Sequence, residues 1–226
     1  MSKNELRQCL ETAPVFSKLS PADRDELVQL AQRRQYHKGQ CVCMQDTIWD
    51  EVLHVHGGRL GWSMLSLDGK RQVVFELGPC DVVWGHSLFD NDPMPASLEA
   101  LEPTVIYAWR REVVMPIVSR NVEAVWDVTR VLVKAMRTVR EVVYGFAFHR
   151  VSGRLARLLL NRYEPEEGQS VRRDITLDEM ADGVGTTREL ISRVLHSFDD
   201  EGMIKVSRAR FTFVNREKLE ALAESA

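Results

Sequence analysis

The sequence lacks a surplus of either charge, and it lacks long apolar runs. Its 226 residues carry 30 lysines and arginines against 33 aspartates and glutamates, for a formal net charge of −3. Residues 150–226 are balanced as well, with 13 basic and 14 acidic side chains, so any nucleic-acid contact must be local. No apolar run approaches the roughly 20 residues needed to cross a bilayer, and Met1–Leu10 has no apolar signal-peptide core. We therefore expect a cytoplasmic protein.

Cysteine is also scarce. The four cysteines, Cys9, Cys41, Cys43 and Cys80, include no C-x-x-C pair, which argues against a disulfide framework and against a zinc or redox site of that type. Cys41 and Cys43 are two residues apart and would share one face of a strand. Because free cysteine usually behaves as a small buried apolar side chain, we expect both of them to be buried.

Short apolar stretches broken by turn residues make up Tyr36–Trp109. Glycine, proline, asparagine and aspartate recur there about every ten residues, which is typical of an antiparallel sandwich or barrel. The clearest hairpin joins Arg59–Leu67 to Arg71–Leu77 through Asp68-Gly69, a pair that tolerates the positive φ angles of a tight turn. Two short helical patterns precede this region. Between them, Ser20-Pro21 predicts a helix N-cap followed by proline at the first helical position.

A proline-free stretch, Asn121–Arg150, repeats apolar residues with alternating spacings of three and four. Four heptads in register are typical of a coiled-coil seam, so we expect a long helix through which two copies of the chain associate. The alternative is an amphipathic helix lying on the sheet of its own chain. The predicted seam residues are Val125, Leu132, Val139 and Phe146 in one heptad position, and Val128, Ala135, Val142 and His149 in the other.

Two short capped helices are predicted near the carboxyl end. Thr176 and Glu179 match the Thr-x-x-Glu capping box, in which the two residues satisfy free amides at the start of a helix. Thr186 and Glu189 repeat the pattern after a glycine-containing turn. A pair of short helices joined in this way is typical of a helix-turn-helix motif.

The second helix of this motif carries polar side chains opposite its apolar stripe. Arginine can bind the edge of guanine, glutamate can accept from the cytosine amino group, and serine can bond to several bases. The alternative is an ordinary solvated helix face. The alternating pattern from Ile204 to Phe211 predicts a β-wing whose basic residues could meet phosphates. The predicted DNA-binding residues are Thr187, Arg188, Glu189, Ser192 and Arg193 on the helix, and Lys205 and Arg208 in the wing.

The C-terminal region resembles a known DNA-binding signature over the stretch from Ile175-Thr176 through Thr187-Arg188-Glu189-Leu190-Ile191-Ser192-Arg193-Val194-Leu195 to Glu201-Gly202-Met203-Ile204. It is the signature of the cyclic-AMP receptor/fumarate-nitrate regulator (CRP/FNR) superfamily. Lys38-Gly39, Leu77-Gly78-Pro79-Cys80-Asp81 and Arg154-Leu155-Ala156 agree in order, so the resemblance covers nearly the whole chain. It implies an α+β fold with three parts: an effector-sensing β-roll of the cyclic-nucleotide-binding jelly-roll type over 1–120, a dimerisation helix over 121–150, and a winged helix-turn-helix over 151–226.

The same resemblance implies a function. The chain should be a homodimeric transcription regulator and not an enzyme, with double-stranded DNA, RNA polymerase and a small-molecule effector as partners. Glu189, Ser192 and Arg193 resemble the Glu-x-x-Ser-Arg subset of the superfamily. That subset implies an operator built as an inverted repeat of a TTGA-like half-site.

The predicted sensor region departs from the cyclic-AMP-binding pattern. Members that bind cyclic AMP carry a Gly-Glu pair, whose glutamate contacts the ribose, and an Arg-Ser pair, whose arginine pairs with the cyclic phosphate. Aligning Leu77-Gly78-Pro79-Cys80-Asp81 places Gly85-His86 and Met94-Pro95 at these two pairs. Neither charge is present, so we expect no dependence on cyclic AMP. The clustered N-terminal cysteines of the iron–sulfur members are missing too.

Two interpretations of the effector remain open. His86 falls where the carbon-monoxide-sensing haem regulators of this superfamily place a haem-ligating histidine, and imidazole is a competent iron ligand. Trp84, however, stands where those regulators have a cysteine ligand. The other interpretation is a small aromatic or apolar effector, as in the members that sense halogenated phenols. It would lie among Trp62, Phe75, Trp84 and Trp109.

A more distant alternative is a metal-binding enzyme of the cupin kind. His54 and His56 would share a strand face and could bind a metal together with His86. No suitably spaced carboxylate and third histidine complete that motif in the sequence.

Overall fold

A computed structural model describes residues 3–67 and 71–224, which form two compact units. The first comprises the described residues of Met1–Leu65 and Val74–Thr138, and the second those of Ser66–Val73 and Val139–Ala226. The predicted α+β class is confirmed: an N-terminal β-roll, a long helix and a C-terminal helix-turn-helix. Within the described ranges, no helix combines the length and the apolar character that a membrane span requires.

The first unit contains the strands of two four-stranded sheets, except for residues 71–73, which begin the fifth strand and belong to the second unit. Their strands are β1 Gln32–Tyr36, β2 Cys41–Cys43, β3 Glu51–Gly57, β4 Leu60–Leu65, β5 Arg71–Leu77, β6 Val82–Trp84, β7 Ser97–Ala100 and β8 Thr104–Arg110. One sheet has the order β1-β8-β3-β6 and the other β2-β7-β4-β5. The strands β4 and β5 correspond to the arms of the predicted hairpin, whose turn at Asp68-Gly69 lies outside the described residues.

Helices pack on the sheet that contains β3. They are α1 Lys3–Thr12, α2 Pro21–Leu30, α3 Ser87–Asp90, α4 Arg111–Val118 and α5 Val122–Phe148, with a 3₁₀ turn at Phe16–Lys18. Ser20 caps α2 as predicted, because its hydroxyl accepts from the backbone N–H of Asp23 at 3.1 Å and Pro21 is the first helical residue. Strand β3 is buried from Glu51 to Val55, and Val52 belongs to the core that these helices share with the sheet.

The cysteines of β2 differ from the expectation. Cys43 is buried, but Cys41 is exposed, so the prediction that both are buried is wrong for Cys41. The pairing of β2 with β7 shifts register between these two residues. This irregularity interrupts the alternation that would have placed both side chains on one face.

The first half of α5 packs on its own unit. Val128 is only 6% exposed and belongs, with Ala124, to the core that joins the helices to the sheet. Leu132 packs partly against the same core. The prediction that Val128 lies in the dimer seam is therefore wrong, because an apolar side of this stretch of helix faces the sheet of its own chain.

The second unit contains the C-terminal domain. Its elements are α6 Val151–Tyr163, β9 Ser170–Arg172, α7 Leu177–Val184, α8 Arg188–Asp200, β10 Ile204–Val206, β11 Arg210–Phe213 and α9 Arg216–Glu224. The three strands form an antiparallel sheet of order β10-β11-β9. One apolar core, which includes Leu155, Met180, Ile191 and Phe213, holds the helices against this sheet.

Candidate functional site

The helix α7 begins at the predicted capping box. The Thr176 hydroxyl accepts from the backbone N–H of Glu179 at 3.1 Å, and the Glu179 carboxylate accepts from the backbone N–H of Thr176 at 2.7 Å. Gly183 lies inside this helix, and a Cβ there would approach the Leu158 side chain of α6 within 3.2 Å. The small residue lets α7 lie close to α6.

The turn between α7 and α8 begins later than predicted, because α7 continues through Val184, and the N-cap of α8 is one residue later than predicted. Gly185 ends α7 in the left-handed region, with φ of 71°, which glycine adopts without strain. The backbone N–H of Thr186 still donates to Ala181 of α7 at 3.0 Å, so Thr186 belongs to the end of that helix. Thr187 is the N-cap of α8, and its hydroxyl accepts from the backbone N–H of Leu190. The predicted second capping box from Thr186 to Glu189 is therefore wrong.

The helix α8 has one buried face and one free face. Ile191, Leu195 and Phe198 are buried in the domain core. Glu189 and Arg193 are exposed one turn apart, and Ser192 is half-buried between them. Sequence reasoning missed His196, which is exposed on the same side, with its Nδ1 atom 2.7 Å from the carbonyl oxygen of Ser192. Its position four residues after Ser192 was the available signal.

Local hydrogen bonds lower the pKa of the Glu189 carboxyl. Its own backbone N–H and the hydroxyl of Thr187 hold the pKa of the Glu189 carboxyl below its ordinary value, with smaller contributions from Arg188 and Arg193. At neutral pH the side chain is therefore an acceptor only.

Among the predicted contact residues, Arg188 already has a partner on the neighbouring helix. Its guanidinium donates to the Asp178 carboxylate of α7 at 2.9 Å. Both side chains are more than half exposed, so this ion pair links the two helices through solvent-accessible atoms and contributes little to stability.

The wing consists of β10, β11 and the turn between them. Lys205 and Arg208 are exposed there. Arg210 is hydrogen-bonded to β9, since its guanidinium donates to the hydroxyl and the carbonyl oxygen of Ser170 at 2.8 and 2.7 Å. The two predicted phosphate contacts of the wing are thus available at the surface, and Arg210 is engaged within the sheet.

The predicted seam residues of α5 are partly exposed in the single chain. Val125, Val139 and Phe146 are 43–45% exposed. Leu132, Ala135 and Val142 are half-buried, and His149 is buried. Met136 and Val143, which sequence reasoning missed, are 71% and 60% exposed. They lie four residues after Leu132 and Val139, so the free apolar stripe is rotated from the predicted one toward these residues.

The residues predicted to hold an effector fall into two separate groups. Trp62 stacks on Phe75 with ring centroids 5.7 Å apart, and its ring lies 5.4 Å from that of His86. Trp84 and Trp109 instead pack around Phe16 in the helix-covered core. The Trp109 indole N–H donates to the carbonyl oxygen of Leu27 at 2.8 Å, which fixes this residue as part of the core.

The positions that correspond to the cyclic-nucleotide pairs are compact and uncharged. A Cβ on Gly85 would lie 2.5 Å from the carbonyl oxygen of Trp49, so only glycine fits. The His86 backbone N–H donates to the sulfur of the fully buried Met94 at 3.3 Å. Burial lowers the pKa of His86, which favours a neutral imidazole at pH 7. No arginine or lysine is among the buried side chains of the first unit's described residues.

A β-roll followed by a long helix and a winged pair of capped helices defines a transcription regulator with a DNA-binding helix-turn-helix. Two family models match the chain: a cyclic nucleotide-binding domain over residues 33–121 and a Crp-like helix-turn-helix domain over residues 153–222. The chain belongs to the CRP/FNR superfamily of transcription regulators.

Three known proteins illustrate the similarity. The cyclic AMP receptor protein of Thermus thermophilus is 26% identical over 87% of this chain and 90% of its own length. The CRP-like cAMP-activated global transcriptional regulator of Mycobacterium tuberculosis is 24% identical over 94% of this chain and 97% of its own. The solved structure of a CRP/FNR-family protein from Eubacterium rectale has a TM-score of 0.79 at 21% identity, covering 94% of this chain and 98% of that one.

Proposed function

We propose that this chain is an effector-gated regulator that binds DNA sequence-specifically as a homodimer. The free face of α8 carries this proposal. It presents Glu189, Ser192 and Arg193 on a helix that is capped at Thr187 and held from behind by Ile191 and Leu195. A helix supported in this way can enter the major groove with its polar face toward the bases.

The residue types on this face specify which bases they can read. The Arg193 guanidinium can donate to O6 and N7 of guanine, and the ionised Glu189 can accept from the amino group of cytosine, each giving roughly 1–3 kcal/mol of discrimination. This chemistry fits a TTGA-like half-site repeated as an inverted palindrome. Thr187 and Arg188 at the start of the helix, with Lys205 and Arg208 of the wing, would contact phosphates and position the helix.

Two-fold recognition requires a dimer, and α5 supplies a surface for it. The exposed stripe of Val125, Met136, Val139, Val143 and Phe146 supports self-association through this helix. Two half-sites about one helical turn apart would then match the symmetry of the protein. The family consists of transcription regulators, so we propose that the DNA-bound dimer also contacts RNA polymerase.

For the effector, Trp62, Phe75 and His86 are the favoured residues. Two stacked aromatic rings next to a largely neutral imidazole suit a small aromatic ligand. The relatives are named for cyclic AMP, but a cyclic phosphate requires a charge-assisted partner. His86 and Met94 stand where those partners are expected, so cyclic AMP is not the effector that we propose.

The central test is a selection from random duplexes at fixed salt. Wild type should recover a palindromic consensus with TTGA-like halves. Arg193→Ala should relax the preference at the guanine position and Glu189→Ala at the adjacent one, each by about 5- to 150-fold in relative affinity. Lys205→Ala and Arg208→Ala are the controls. As phosphate contacts they should weaken binding to all sequences alike and flatten its salt dependence.

The same selection can contradict the proposal. If Glu189→Ala and Arg193→Ala recover the wild-type consensus with only uniformly lower affinity, α8 does not read bases through this face.

A further inference from the structure

Three potential metal ligands meet at the edge of the first unit, outside the sites described above. They come from distant positions in the sequence: Cys9 from α1, His54 from β3, and Cys80 from the turn between β5 and β6. The ligand atoms of these three side chains all lie within 4.8 Å of one another. Two sulfurs and an imidazole nitrogen form a donor set that soft and borderline cations prefer.

His54 has an unusual environment for a histidine. Its side chain is fully buried, and neither ring nitrogen has a hydrogen-bond partner among the described residues. Buried polar atoms are normally satisfied because leaving them unpaired costs free energy. The arrangement therefore indicates a partner that the protein's own groups do not supply.

The turn that carries Cys80 is fastened directly beside His54. Val55, the next residue along β3, accepts from the backbone N–H of Cys80 and donates to the carbonyl oxygen of Asp81, both at 2.9 Å. Cys80 itself has a φ of 72°, a left-handed conformation that residues other than glycine rarely adopt. Such a conformation is retained when its surroundings require it, and it often marks a functional position. In this conformation the Cys80 sulfur lies within 4.8 Å of a ring nitrogen of His54.

We propose that Cys9, His54 and Cys80 bind a thiophilic d¹⁰ cation, for which Zn²⁺ is the representative ion. On binding, the two thiols release their protons to solvent and both thiolates and the neutral imidazole donate electron pairs to the ion. The fourth position of a tetrahedral shell is left to water or another exogenous ligand, as in open three-ligand zinc sites. Cys80 is exposed and provides the route of entry.

The charge states and the distances agree with this site. Burial lowers the pKa of His54 to about 4, so its imidazole is neutral at pH 7 and keeps a lone pair. Burial, together with Cys80, raises the pKa of the Cys9 thiol, so this thiol is protonated until an ion displaces the proton. Zinc–ligand bonds of about 2.0–2.3 Å place neighbouring ligand atoms under about 4 Å apart. Side-chain rotations that contract the cluster by about 1 Å would complete the shell.

Two ionisable neighbours lie close to the cluster. Glu5 is one helical turn before Cys9 on α1, and its carboxylate lies 3.7 Å from Nε2 of His56. Both groups would stay outside the ligand set, and the Glu5 carboxylate contributes negative charge near the cation. The surroundings are therefore electrostatically compatible with a bound cation.

The test uses the full-length, reduced, metal-free protein and two probes, Zn²⁺ and Co²⁺. Wild type should bind one ion per chain and, with Co²⁺, show a thiolate-to-metal charge-transfer band. Cys80→Ser and Cys9→Ser each keep one thiolate, so they should show a weaker band, and they should bind Zn²⁺ at least about 100-fold more weakly, since even the loss of an outer-shell partner costs 10- to 100-fold. Cys41→Ser is the matched control, because Cys41 is also exposed but lies outside the cluster, and it should behave as wild type.

Circular dichroism checks that each variant is folded. Cys80→Ser is the variant least expected to disturb folding, because Cys80 is exposed. His54→Gln should weaken Zn²⁺ binding while both thiols remain. The proposal is overturned if wild type binds no ion, or if folded Cys80→Ser binds as tightly as Cys41→Ser. It is equally overturned if protein purified without reductant carries a Cys9–Cys80 disulfide and regains no Zn²⁺ binding after reduction.

Discussion

The dimer seam on α5 can be tested with the substitution Val139→Glu. Val139 belongs to the predicted heptad seam, and 43% of its surface is exposed in the single chain. This exposed part does not contribute to the packing of its own unit. Leu132→Glu is less informative, because Leu132 packs partly on the core of the first unit and its loss would disturb folding as well. Val139→Glu therefore separates association from stability.

The size of the effect follows from this exposure. Full burial of a valine contributes about 1.5–3 kcal/mol, so a partner that covers the exposed part contributes roughly 1 kcal/mol per copy, or roughly 2 kcal/mol per dimer. Two facing carboxylates about 4 Å apart in a solvated seam add about 1 kcal/mol of repulsion. A total of about 3 kcal/mol corresponds to a dimer dissociation constant roughly 150-fold higher.

Sedimentation equilibrium over a concentration series measures this constant. Lys134→Glu is the control, since Lys134 is exposed on the same helix but lies two positions after Leu132, on the side of α5 opposite the seam. We expect the control to change the constant by no more than a few-fold. If Val139→Glu stays as dimeric as wild type, or if both variants dissociate equally, association does not use this face.

Three further predictions concern stability and the effector. Thr176→Ala removes a complete capping box and should lower the free energy of unfolding by about 1 kcal/mol in urea denaturation; an unchanged unfolding midpoint would contradict it. Gly185→Ala should lower the free energy of unfolding clearly more than Gly168→Ala. Both glycines have φ above 70°, but a Cβ at Gly185 would lie 2.4 Å from the Phe146 ring, whereas the space at Gly168 is open. Equal losses of stability in thermal unfolding would refute this prediction. Haem-treated wild type and His86→Ala should show the same Soret absorption. A band that depends on His86 and shifts with carbon monoxide would instead indicate that the effector site binds haem and not a small aromatic molecule.

Local signals in the sequence were predictive where a structure depends on neighbouring residues. The Ser20-Pro21 start of α2 and the box of Thr176 and Glu179 were correctly predicted, because a cap involves only residues three positions apart. The start of α8 was not, since two adjacent threonines both offer a cap. The choice of Thr187 follows from where Gly185 ends the preceding helix.

Positions that depend on tertiary packing could not be read from periodicity. The aromatic residues of the β-roll occur at strand spacing, which does not reveal the partners on either buried face. Only the fold separates Trp62 and Phe75 from Trp84 and Trp109. Similarly, the heptad pattern does not reveal that Val128 is covered by its own unit. The cluster of Cys9, His54 and Cys80 joins three elements far apart in sequence, so no spacing rule could have found it.

The ion pair between Arg188 and Asp178 predicts a variant with stronger DNA binding. An exposed pair of this kind contributes about 0–1 kcal/mol, so phosphates can compete for the guanidinium at little cost to the fold. Asp178→Asn removes a negative charge beside the predicted interface and releases Arg188. We expect affinity to rise about 2- to 5-fold for all sequences alike, since a gain of up to 1 kcal/mol corresponds to that range, with a steeper salt dependence and an unchanged consensus.

A double-mutant cycle with Arg188→Ala decides whether the released arginine causes this gain. In the Arg188→Ala background, Asp178→Asn should retain only the smaller effect of removing one negative charge from the surface. Fluorescence anisotropy on one operator and one unrelated duplex, at several salt concentrations, measures all four proteins. If Asp178→Asn raises affinity equally with and without Arg188, the arginine does not contact phosphate and the ion pair only links the two helices. If the gain is confined to the operator, Arg188 reads a base and belongs with Glu189 and Arg193 in the specific interface.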